Sequence, residues 1–101
     1  MIQTQEESVI IHDSLQIDND GYVYGSAYTK ELPNGDSLTG GVTSYEYKDG
    51  ELNHVPGVTL VDESGAIKKE YSPYDTTNAE TAIDRVRTQM ENAFKDEKRR
   101  E

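Results

Sequence analysis

His12 and His54 are the only imidazoles in the chain, and there is no cysteine. These are the side chains that most often ligate transition metals or move protons near neutral pH. Neither histidine has a partner at metal-ligand spacing along the chain. Each falls in an expected strand, where a lone histidine is ordinarily a surface or half-buried polar residue. Asp18-Asn19-Asp20-Gly21 has the look of a calcium loop. Aligned on its glycine, an EF-hand would need an oxygen ligand at Gln16 and a bidentate glutamate at position 27, which is Ala27, and no helix flanks the loop. No Gly-x-Ser-x-Gly elbow and no Gly-rich phosphate loop occurs. The paired acids Asp62-Glu63 sit in a turn, where solvation explains them. The chemistry expected from these residues is therefore binding rather than catalysis, with no cofactor and no metal.

Tyrosine is the residue type that stands out. There are seven Tyr, one Phe and no Trp. A core built only for burial would favour Phe and Leu. Tyrosine gives contact area at low entropy cost, and its hydroxyl tolerates water, so it is enriched at interfaces. Tyr22, Tyr24 and Tyr28 are expected on the open face of one strand, and Tyr45 and Tyr47 on the open face of the next. Asp36, Glu46 and Asp49 are interleaved with them as rim carboxylates. A solvent face coated with strand-favouring Tyr and Thr is the simpler alternative.

Net charge is −10. Residues 1–66 hold twelve acids against Lys30 and Lys48, a net of −10, while residues 67–101 hold eight acids and eight bases, a net of zero. This disfavours direct contact with nucleic acid or an anionic membrane and favours a basic protein surface. Carboxylates can meet arginine, and tyrosine rings can receive cations. Solubility alone would also account for the acidity. In size and charge the chain resembles the small acidic inhibitors encoded by phages and other mobile elements. The acidic, Tyr-rich sheet is expected to meet a basic protein surface of the kind that holds nucleic acid. The first residues carry neither a basic region nor an apolar run, so an intracellular, cytoplasmic protein is expected.

The elements that position these residues can be read from periodicity. Four tetrapeptides end in glycine: Asp18-Asn19-Asp20-Gly21, Leu32-Pro33-Asn34-Gly35, Tyr47-Lys48-Asp49-Gly50 and Asp62-Glu63-Ser64-Gly65. Each suits a type I turn followed by a left-handed glycine, the three-residue hairpin loop. Five strands follow, at roughly 8–17, 22–31, 37–47, 51–61 and 66–71. With this loop, Ile17 lies beside Val23 and Leu15 beside Gly25. Val23, Gly25 and Ala27 then share the core face with Val9, Ile11, Leu15 and Ile17, as a small-residue seat for a helix. A two-residue loop would instead put the tyrosines in the core. Gly40-Gly41 predicts a bulge or bend, and Pro56-Gly57 an edge position or a broken strand.

From Asn78 to Lys98, Ala79, Ala82, Ile83, Val86, Met90, Ala93 and Phe94 recur at helical spacing. Thr77 and Glu80 have capping-box spacing, with Asp75 as a second candidate cap. Lys95, Lys98, Arg99 and Arg100 suit a helix C-terminus.

The expected architecture is a single α+β domain over residues 1–101: frayed ends at 1–7 and 99–101, a five-stranded antiparallel β-meander at 8–71, and one C-terminal α-helix at 77–98 packed on one face. The expected function is a non-enzymatic inhibitor that binds protein. The alternative is a structural protein that oligomerises, pairing as a homodimer through the first strand, where Ile10 points away from the core.

Overall fold

The computed structural model describes residues 15–99. The expected strand segment 8–14, including Val9, Ile10, Ile11 and His12, lies outside them, and so does the edge pairing expected of it.

The four glycine turns form as the composition predicts. Asp18 N–H donates to Tyr22 O at 2.9 Å, and Gly21 N–H donates to Asp18 O at 3.1 Å. The same pair of bonds recurs around Gly35, Gly50 and Gly65. The φ angles of Gly21, Gly35, Gly50 and Gly65 are 94°, 98°, 87° and 93°, a region where a side chain would be strained.

Among the described residues, six strands form two antiparallel sheets. β1 (Leu15–Ile17) and β2 (Val23–Gly25) make a small hairpin. β3 (Tyr28–Glu31), β4 (Ser37–Glu46), β5 (Leu52–Val61) and β6 (Ile67–Glu70) make the larger sheet in that order. The helix α1 (Ala79–Arg99) packs across one face of it, mainly on β4 and β5. The architecture is thus α+β, with the C-terminal helix on an antiparallel sheet.

The single five-stranded meander is corrected. The expected strand 22–31 is two strands, because Gly25 turns the chain at φ 119°. β2 pairs with β1 and β3 with β4. The register Leu15↔Gly25 and Ile17↔Val23 is the one the three-residue loop requires. The break shifts the alternation, so Tyr28 turns into the core at 5% exposure while Gly25 and Ala27 are exposed. Ile17, at the turn end of its short strand, is 38% exposed and leaves the core.

Gly40-Gly41 is not a bulge. β4 and β5 pair without interruption over ten positions, from Ser37↔Val61 to Glu46↔Leu52. Gly40 is the close-approach seat that had been expected on Gly25 and Ala27: a Cβ there would lie 2.6 Å from Met90 Sδ and 2.9 Å from Val86 Cγ1. Pro56 does not break β5 either. β6 pairs only with Thr59, Leu60 and Val61, so among the described residues no strand lies beside Pro56 on that side to require its missing N–H.

The helix buries the stripe read from its spacing: Ala82, Ile83, Val86, Met90, Ala93 and Phe94. Against it lie Leu38, Val58, Leu60 and Tyr28 from the sheet, with Leu15 and Val23 from the hairpin. Lys30 and Lys98 lie over the Phe94 ring at 5.3 Å and 5.5 Å. The cap is Asn78, not Thr77 or Asp75: its Oδ1 accepts the N–H of Thr81 at 2.8 Å. Asparagine there satisfies one of the open N–H groups of the first turn.

Candidate functional site

The turn at Gly50 and the end of β4 bring together four of the eight expected site residues. Tyr45 and Tyr47 are exposed at 39% and 46%. Their rings meet edge to face, with centroids 5.3 Å apart, and their hydroxyls are 3.3 Å apart. Glu46 and Asp49 are exposed beside them. Asp49 also has a structural task, accepting the N–H of Glu51 at 3.0 Å.

Two residues missed in the sequence organise this surface. Asn53 is 5% exposed and lies directly across from Tyr45. Its Nδ2 donates to Tyr45 OH at 3.1 Å and to Asp75 Oδ2 at 2.8 Å. One buried amide thus holds an exposed tyrosine of β4 and an exposed carboxylate from the link before the helix. The link is fixed in turn: His54 and Thr76 exchange backbone hydrogen bonds at 2.8 Å and 3.0 Å, and Arg85 Nη1 donates to the carbonyls of Tyr74 and Asp75. The turn register at Gly50 already sets Tyr45 opposite Asn53, so half of this was within reach of the sequence. The Asp75 contact spans 22 residues and has no local signal.

The site is electronegative. The Tyr47 hydroxyl is held above its ordinary pKa, first by its bond with Tyr45, then by burial and by the charges of Tyr45, Asp75 and Glu51. The turn at Gly21 stands at the same end, since a Cβ there would meet Leu52 Cδ1 at 3.2 Å. It brings Asp18 and Asp20 to this end as well. Asp18 Oδ1 accepts the N–H groups of Asp20 and Tyr22, both at 2.9 Å, which is turn chemistry. Among the described residues no three His, Cys, Asp or Glu side chains converge as a metal site.

The other expected site residues lie apart. Tyr24 is 52% exposed on the hairpin, its hydroxyl 3.3 Å from Gln16 Oε1, and Tyr22 is half-buried. Tyr28 is a core residue whose hydroxyl accepts from Arg87 Nε at 3.4 Å. Asp36 is no rim acid. It is 6% exposed, accepts from Asn34 Nδ2 at 3.2 Å, and pairs with Lys68 Nζ at 2.7 Å. Its place just after Gly35 turns it inward at the far end of the sheet.

Ser44 Oγ and His54 Nδ1 are 2.7 Å apart, the spacing of a nucleophile and its base. The pair is structural in setting. His54 is 2% exposed, and Ser44 Oγ accepts the N–H of Val23 at 3.0 Å.

Comparison with protein-family models, with curated proteins and with solved structures finds no match. Among the described residues no helix is long and apolar enough to cross a membrane.

Proposed function

We propose that the chain is a non-enzymatic binding protein that presents the Tyr45, Tyr47 and Asp75 surface to a basic surface of a partner protein. That surface is one that ordinarily holds nucleic acid, so the chain acts as an inhibitor and nucleic-acid mimic, in the manner of small acidic proteins of phages and mobile elements. The observation that carries this reading is Asn53. A buried amide that fixes two exposed groups from separate segments pre-organises them, and pre-organised aromatic and charged groups lose less entropy on binding. Glu46, Asp49 and Glu51 supply the negative rim, and Tyr22 and Tyr24 extend the surface onto the hairpin. Direct nucleic-acid binding is disfavoured by the same charge.

The test is binding kinetics against the captured partner at several salt concentrations. Association should slow markedly as salt rises, and reversing Glu46, Asp49 and Glu51 should lower the on-rate. The partner's nucleic acid should compete. Association that ignores salt, or full binding by the charge-reversed variant, overturns the proposal.

The second reading is an assembly subunit. Its observation is Ile67, 62% exposed on the edge strand β6, although Lys68 and Lys69 beside it discourage edge pairing. Sedimentation at tens of micromolar separates the two: a dimer abolished by Ile67→Lys supports assembly, and a monomer removes it.

A further inference from the structure

His54 sits where three pieces of the molecule meet. Its backbone pairs with Thr76 of the link before α1. Its Nδ1 meets Ser44 Oγ of β4, and Ser44 Oγ takes the N–H of Val23 in the β1–β2 hairpin. Along β5 it shares the inward face of Pro56, Val58 and Leu60. We propose that the Val23–Ser44–His54 relay makes the seating of the β1–β2 hairpin on the larger sheet dependent on pH, so that protonation of His54 releases the hairpin.

With a neutral imidazole the relay closes: Ser44 Oγ accepts from Val23 and shares one proton with Nδ1. In the imidazolium both ring nitrogens are donors. Ser44 must then accept from Val23 and His54 together, and its own hydroxyl hydrogen loses its acceptor. The new charge also lies in an apolar layer. The carboxylates on the surrounding elements do not offset it. Glu46 of β4 and Glu80 of α1 are exposed, and Asp84 of α1 is 73% exposed with Arg87 at 3.6 Å. Asp75 is bonded to Asn53, which points to the opposite face of β5, and Asp18 and Asp20 belong to the exposed turn at Gly21. Burial alone holds the His54 pKa below its ordinary 6.5.

The hairpin is the part that can yield. Among the described residues it consists of two three-residue strands, joined to the sheet through the bend at Gly25. Local opening draws on such lightly attached units first. Lifting it uncovers Ser44 and gives the imidazolium access to water. As pH falls below 6.5 the open form binds a proton that the closed form does not. The opening equilibrium then grows by up to about tenfold per pH unit, down to the lowered pKa of the seated form. Tyr22 and Tyr24 travel with the hairpin, so the consequence for binding rests on the function proposed above. The seat itself does not.

The experiment is an NMR titration of the whole chain from pH 8 to pH 5 without any partner. The His54 ring should titrate below 6.5. The amides of Leu15, Val23 and Tyr24 should shift with the His54 midpoint, and the Val23 amide should lose exchange protection over the same window. The amides of Leu38 and Val58 should hold. His54→Gln should remove the coupled shifts, and Ser44→Ala, a second variant should Gln fail to fold, should uncouple the Val23 amide from the ring. A Val23 amide that stays flat through the His54 midpoint overturns the proposal. Loss of all amides at one midpoint overturns it too, because that is global unfolding. If the hairpin shifts as expected but partner binding ignores pH, the use of Tyr22 and Tyr24 in binding fails while the pH-dependent seat stands.

Discussion

Gly40 faces Met90 across the sheet–helix contact so closely that one added carbon would lie 2.6 Å from the methionine sulfur. Val86 Cγ1, at 2.9 Å, closes the other side. Gly40→Ala should therefore push α1 outward and cost about 1–3 kcal/mol, as overpacked cores do. Denaturant unfolding measures it. In a double-mutant cycle with Met90→Ala the cost of Gly40→Ala should shrink, because the thioether is the nearest obstruction.

The capping assignment gives a sharp comparison. Asn78→Ala should cost about 1 kcal/mol, the usual loss of a cap. Thr77→Ala should cost a few tenths, within the range of surface changes. Equal losses in thermal unfolding would show that the Asn78 bond to Thr81 does not hold the helix start.

Tyr71 ties the end of the helix to the segment after β6. Its hydroxyl donates to Asp96 Oδ2 at 2.8 Å and to Glu97 Oε2, and Lys69 Nζ lies 4.9 Å from its ring centre. Burial first, then these two bonds and the carboxylate charges, raise its pKa above the ordinary 10.0. A proton held more tightly in the folded chain stabilises it below pH 10, and that contribution is lost as pH rises further. Tyr71→Phe should cost about 1.5–3 kcal/mol at neutral pH, as bonds to charged partners do. It should also flatten the fall in stability above pH 10.

Asp36 and Asn53 separate stability from binding. Lys68→Met leaves the 6%-exposed Asp36 carboxylate without its cation. The Asn34 bond remains, so the loss should be that of one hydrogen bond to a charged group, about 1.5–3 kcal/mol at most, with binding kinetics unchanged. Asn53→Ala frees Tyr45 and Asp75 together. It should raise the off-rate of the proposed partner beyond its effect on stability, and an off-rate that tracks stability alone would count against the brace.

Much of this fold was legible because its signals are local. Gly21, Gly35, Gly50 and Gly65 each follow Asp, Asn or Ser, and all four make the turn that this pairing favours. Ile83, Val86, Met90 and Phe94 keep their spacing over about three turns of α1. What failed was non-local. On paper the alternation of Tyr22, Tyr24 and Tyr28 runs straight through Gly25. The bend there exchanges faces, so Tyr28 goes in and Ala27 comes out. Gly40 looked like a weakness in a strand, since the methionine that needs the space is fifty residues away. In the site, Tyr45, Tyr47, Glu46 and Asp49 are close in sequence and stayed together. Asp36 resembled them in composition alone. Asn53 and Asp75 carry the arrangement through a contact between segments, which periodicity cannot show.

The uninterrupted ladder between β4 and β5 has a kinetic meaning. Its ten pairs close outward from one loop at Gly50, so each new pair is adjacent to one already made. Hairpins of this kind form in microseconds, ahead of contacts that must close long loops. The β4–β5 hairpin should then be the part structured in the folding transition state, with α1 docking onto Gly40 afterwards. In a chevron, Gly50→Ala should slow refolding with little change in the unfolding arm. Phe94→Ala, at the far end of the late-docking helix, should chiefly speed unfolding.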